Sequence, residues 1–139
     1  MEFVFSWCTD YQPDDGTRAK EDYVRRILER TARRVLHEDL ESRTTGWLWK
    51  RYEVTLDPPG HWHAEPMGNH RDFSLDYRLR SLPERRTEFR SDGIRTAKPL
   101  GGPDPSKAAM HRELLQLWGN LGSALEAEHR AGRAARRAR

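Results

Sequence analysis

Residues 46–80 read GWLWKRYEVTLDPPGHWHAEPMGNHRDFSLDYRLR, and the periodicity within this stretch decides the fold class. Leu48, Tyr52, Val54 and Leu56 fall on one side of an extended segment that opens at Gly46. Asp57-Pro58-Pro59-Gly60 closes it with turn residues. Farther on, Phe73, Leu75, Tyr77 and Leu79 alternate with Asp72, Ser74, Asp76 and Arg78, the cleanest two-residue period in the chain. Strand patterns separated by such short connections pair with their sequence neighbours, so the centre of the chain is antiparallel sheet.

Working outward on the carboxyl side, residues 85–91 read as a further strand. Asp92-Gly93 then gives a two-residue hairpin signal leading into Ile94 to Ala97. Residues 99–105 (PLGGPDP) break the sheet, and Asp104 as N-cap with Pro105 behind it starts a final helix. The stripe of that helix is Met110, Leu114, Leu117, Trp118, Leu121 and Leu125. Gly119 and Gly122 interrupt it at about 1 kcal/mol each, which predicts either close packing there or a kink. On the amino side, Phe3, Phe5 and Trp7 alternate as in a short strand, and residues 9–16 read as a polar turn. From about residue 17 to 41, Tyr23, Val24, Ile27, Leu28, Val35, Leu36 and Leu40 recur near helical spacing. This predicts an amphipathic helix capped by Asp14, Asp15 or Thr17, with Arg25, Arg26, Arg30, Arg33 and Arg34 as its solvated face. The expected fold is a single α+β domain: an antiparallel β-meander of about four to five strands packed by an N-terminal and a C-terminal helix.

Composition narrows the function classes. At 139 residues the chain has the size of one domain, occupying 1–129, followed by an Arg/Ala-rich basic tail over 130–139. Hydrophobic residues make up 35% and charged residues 34%, so five tryptophans carry much of the burden of forming a core. The formal charge of +3 belongs to the tail, RAGRAARRAR, whose five arginines leave 20 basic against 22 acidic residues elsewhere. No apolar run is long enough to span a membrane, and the acidic start MEFVFSWCTD lacks the basic region of a secretory leader, so a cytoplasmic protein is expected. The lone Cys8 excludes an internal disulfide and any zinc site built from several cysteines. No glycine-rich phosphate loop and no Ser or Cys nucleophile signature is present.

Three stretches can carry chemistry. His61 and His63 lie two apart on an extended segment with Glu65 next along, a set of ligand types suited to zinc or another divalent metal. The alternative is a pair of neutral, hydrogen-bonded histidines at the edge of the core with no cofactor. His61-Trp62-His63 resembles the metal-binding motif of the HUH endonucleases, which cut single-stranded DNA with a tyrosine carried on a nearby helix. That resemblance implies a metal-dependent single-strand nuclease, though the family's Tyr-x-x-Lys is matched only by Tyr77-Arg78-Leu79-Arg80, in a strand pattern. His63-Ala64-Glu65 resembles the His-x-Glu of zinc deaminases, whose paired cysteines are missing.

The second stretch is the tail. Arg130, Arg133, Arg136, Arg137 and Arg139 are candidate phosphate contacts for sequence-independent DNA or RNA binding, with a solubilising helix end as the alternative. The third is the tryptophan set. With an even loop after Asp57, Trp47, Trp49 and Trp62 would share one face with Arg51 and Glu53, opposite the aliphatic residues and the histidines. Trp47, Trp49, Trp62 and Arg51 are therefore the candidate contacts for a protein partner if the helices cover the aliphatic face; if they cover the tryptophan face, it is core and the histidine face lies outside. The leading expectation is a small non-enzymatic module that binds a protein partner.

Overall fold

The computed structural model describes residues 1–44, 46–101 and 106–137. The chain opens with two short helices, α1 (Glu2–Cys8) and α2 (Asp15–Ala19). Six strands follow: β1 (Tyr23–Arg30), β2 (Arg34–Arg43), β3 (Gly46–Asp57), β4 (His61–Gly68), β5 (Arg71–Leu82) and β6 (Arg86–Ala97). A 3-10 turn at Pro99–Gly101 precedes the long α3 (Lys107–Arg137). The strands lie in sequence order in one antiparallel sheet, so the α+β meander expected from the periodicity is present, with six strands rather than four to five.

Both N-terminal expectations are corrected. Residues 23–43 form a hairpin, not a helix. Its inward positions on β2 are Val35, His37 and Asp39, and because two of these are polar the two-residue period left no apolar trace. On β1 the register shifts between Ile27 and Glu29, and Val24 and Leu28 are exposed while Ile27 is partly buried, so their helical spacing does not mark one buried face. Conversely, Phe3, Phe5 and Trp7 sit on a helix. α1 lies between the sheet, where Phe5 meets Trp62 edge-on at 5.8 Å, and α3, where Glu128 accepts a 3.0 Å hydrogen bond from Trp7 Nε1. A helix buried on several sides need not confine its apolar residues to one stripe.

The core gathers Phe5, Val35, Val54, Leu56, Trp62, Ala64 and Leu79, with Leu75, Tyr77 and Phe89 packed against it. Trp118 of α3 closes one end, its ring centroid 4.2 Å from Phe89 and 5.6 Å from Tyr77. All three helices contact this same face of the sheet. Gly93 is not a hairpin turn: β6 runs straight through it opposite Leu75. A Cβ there would stand 2.6 Å from a Leu75 methyl, so the glycine permits a close approach of strand and side chain. In α3, a Cβ at Gly119 or Gly122 would meet nothing within 4 Å, so neither glycine serves close packing. Asp104 and Pro105 lie outside the described residues; Ser106 Oγ accepts the Ala109 N–H at 3.2 Å and caps the first turn.

Candidate functional site

The decisive register lies at the β3–β4 turn. Pro58, Pro59 and Gly60 form a three-residue connection with Asp57 opposite His61 and Leu56 opposite Trp62. An odd loop turns every β4 side chain to the face opposite the one an even loop would give. Trp62, only 1% exposed, therefore sits in the core beside Leu56 and stacks on Tyr77 at 5.0 Å. Trp47, Trp49, Arg51 and Glu53 face the other way, and they share that outer face with His61, His63 and Glu65. The expectation that three tryptophans form one outer surface is thus corrected: two do, and Trp62 leaves the set.

On the outer face a row of apolar side chains crosses neighbouring strands. Val24 pairs with Leu40, and Leu40 pairs with Trp49. Trp47 lies two positions along from Trp49, and Met67 stands opposite Arg51 on β4. Val24 is 72% exposed, Trp47 60%, Met67 52% and Leu40 40%. Asn69 holds the backbone behind the tryptophans: its Oδ1 accepts the Trp49 N–H at 3.0 Å, and its Nδ2 donates to the Trp47 carbonyl at 2.7 Å. Arg51 lies over the Trp49 ring at 5.8 Å and donates to Glu38 at 2.7 Å, so both groups are held in place from the sheet.

Beside this row, the histidines form a polar cluster with carboxylates. His61 Nε2 is 2.9 Å from Asp76 Oδ2, and His63 Nε2 is 2.9 Å from Glu65 Oε1. Arg78 Nε donates to the second Asp76 oxygen at 2.7 Å. The hydrogen bond with His61 holds Asp76 below the usual carboxylate range, and that with His63 does the same for Glu65. Each carboxylate is spent on an imidazole or a guanidinium, and among the described residues no group of three or more His, Cys, Asp or Glu is arranged to hold a metal ion. Nor does a tyrosine reach the pair. Tyr77 faces the core against Trp62, Tyr52 stacks on buried His37 at 4.5 Å, and Tyr11 meets the same imidazole at 4.9 Å. Tyr23 is directed toward Arg25 on the inner side.

A second cluster lay hidden from sequence reasoning. Arg25, read as part of a solvated face, is a buried bidentate partner of Asp39, donating from Nε and Nη2 at 2.8 Å each. It also donates to Asp15. Burial alone would raise the Asp39 pKa, but the hydrogen bonds from Arg25 and His37 outweigh it and hold the carboxylate below its ordinary value. Ionised Asp39 can only accept, so the His37 nitrogen 3.1 Å from it, Nδ1, carries the proton. His37 Nε2 is then left buried with no hydrogen-bond partner among the described residues. Burial, reinforced by Arg25 and Arg30, pulls the His37 pKa below its ordinary value despite Asp39. The period-2 pattern Val35-x-His37-x-Asp39 was the only available signal, and it reads as a strand only once a buried ion pair is admitted.

α3 continues as helix through residue 129 to Arg137. Arg130 is exposed. Arg133, Arg136 and Arg137 belong to the helix by their backbone, and Arg139 lies outside the described residues. No described helix is long and apolar enough to cross a membrane. Comparison with protein-family models, with curated proteins and with solved structures found no match.

Proposed function

We propose that this protein is a non-enzymatic interaction module whose outer sheet face docks a protein partner, as an inhibitor, immunity factor or assembly subunit would. The observation that carries the reading is the apolar row of exposed Val24, Leu40 and Trp47 with partly buried Trp49 between them, held on a face that no described helix covers. Covering such a row releases about 25 cal/mol per Å² of apolar surface, and Trp and Arg are the residues most enriched at interface hot spots. Charge on this face favours a protein over nucleic acid. Arg51 is paired with Glu38, Arg34 with Glu29 and Glu53, Arg78 with Asp76, and Arg80 with Glu88. Phosphate binding draws on cations that are not already neutralised. The paired charges and the histidine cluster suit instead the polar rim of a protein interface.

A double variant tests the reading. Val24→Ser with Trp49→Ser removes the centre of the row without touching the core, so the urea midpoint is expected to stay close to that of the wild type. Complexes recovered from the host by the wild-type chain are expected to be lost from the variant, and their retention would refute the assignment. A second reading keeps the tail as a nucleic-acid contact, supported by exposed Arg130, which has no ion pair among the described residues. For that reading, removal of residues 130–139 abolishes oligonucleotide binding and flattens its salt dependence.

A further inference from the structure

On the opposite side of the sheet, α1, α3 and the β5–β6 turn enclose a cleft of about 640 Å³, within the roughly 300–1,000 Å³ range of small-molecule sites. Its walls are apolar: Val4, Trp7, Phe89, Trp118, Leu121 and Leu125. Its charged lining groups are exposed, and they are unbalanced. Among the described lining residues, Arg85, Arg86 and Arg130 are set against one carboxylate, Glu126. Arg86 is partly engaged by Glu84 at 3.8 Å, whereas Arg85 and Arg130 have no ion pair among the described residues.

The turn that presents these arginines supplies an independent observation. Glu84 and Arg85 are consecutive non-glycine residues with positive φ, 61° and 60°, closed by a hydrogen bond from the Arg86 N–H to the Pro83 carbonyl at 3.4 Å. Such a turn ordinarily recruits Asn-Gly, so side chains are kept here in a backbone conformation that disfavours them. Strained positions of this kind cluster at ligand sites, where the side chain is needed for more than the turn.

An apolar slot with an arginine-rich mouth fits one kind of occupant: a chain that fills the slot and a single anionic head that meets the guanidinium groups. We propose that the cleft binds a monomeric anionic amphiphile, a medium-length fatty acid or alkyl phosphate. The site is separate from the outer-face row, so the two proposals stand or fall independently. Calorimetric titration of the full chain tests this one, using dodecanoate, dodecyl phosphate, dodecanol and dodecyltrimethylammonium below their micelle concentrations. The two anions are expected to bind one to one, dodecanol at least tenfold more weakly, and the cation not at all. Arg85→Glu with Arg130→Glu is expected to weaken dodecanoate at least tenfold at an unchanged urea midpoint. Arg85→Gln with Arg130→Gln, tested the same way, replaces it should reversal disturb folding. Leu121→Trp, which fills the slot, is expected to weaken both anions. Absence of binding by either anion, equal binding of dodecanol, or indifference to the arginine changes would overturn the proposal. So would flotation with phosphatidylglycerol vesicles without any monomer binding, since that would make the patch a membrane surface.

Discussion

At the scale of single residues, the two faces of one strand pair assign opposite roles to chemically similar side chains. Trp62 fills the centre of the core, and Trp62→Ala is expected to cost about 3–5 kcal/mol, enough to unfold a domain of ordinary stability. Trp49→Ala removes an outer-face ring and is expected to leave the urea midpoint within about 1 kcal/mol of the wild type. Equilibrium denaturation distinguishes them directly. His37 adds a pH signature. Its folded pKa lies below its ordinary 6.5, so the unfolded chain binds the proton more readily. The His37 contribution is therefore complete above about pH 6.5 and lost as pH falls below that, at no more than about 1.4 kcal/mol per pH unit. Asp15, raised by burial to about 6 from 3.8, works in the opposite sense between those values. The comparison with His37→Phe isolates the imidazole: the variant is expected to lose less stability than the wild type between pH 7.5 and 5.5. Equal losses would mean that His37 does not titrate as a buried neutral group.

At the scale of elements, close backbone approach makes a sharp prediction. A Cβ on Gly68 would stand 2.7 Å from the Trp49 carbonyl oxygen, whereas on Gly93 the nearest atom is the far end of the Leu75 side chain at 2.6 Å. Backbone yields less readily than a rotatable methyl, so Gly68→Ala is expected to cost about 1–3 kcal/mol and Gly93→Ala less, as read from urea midpoints. How much of this architecture was legible in the sequence follows from the same physics. β5 could be read residue by residue because Phe73, Leu75, Tyr77 and Leu79 all face inward and are all apolar. β2 could not, because its inward Asp39 is held by Arg25 from β1, which only the folded hairpin brings close, and its inward His37 is held by Asp39. That Trp47 and Trp49 share one face of β3 was available from its two-residue period, but which face the helices cover was not, because both faces carry apolar groups. The burial of Trp62 was not, because it turns on the parity of the loop 58–60, and prolines with a glycine fit more than one loop length.

At the scale of the whole molecule, the sheet divides its labour. One face carries the three described helices, the core and the cleft, and the other carries ion pairs such as Arg51–Glu38 and Arg78–Asp76 around the Val24–Leu40–Trp49 row. Among the described contacts, Trp118 on Phe89, Asn120 to the Ala19 carbonyl and Glu128 to Trp7 tie α3 down upstream of residue 130. Deleting residues 130–139 is therefore expected to leave the melting temperature within about 2 °C, a shift worth a few tenths of a kcal/mol in a domain of this size. The uncovered face is expected to be the one that meets a partner. Radical footprinting with mass spectrometry, on the free protein and on its complex isolated from the host, tests it most directly. Trp47, Trp49 and Met67 are expected to oxidise in the free protein and to be protected in the complex, while Trp62 stays unreactive in both. Equal oxidation of Trp47 and Trp49 in the two states would contradict the account.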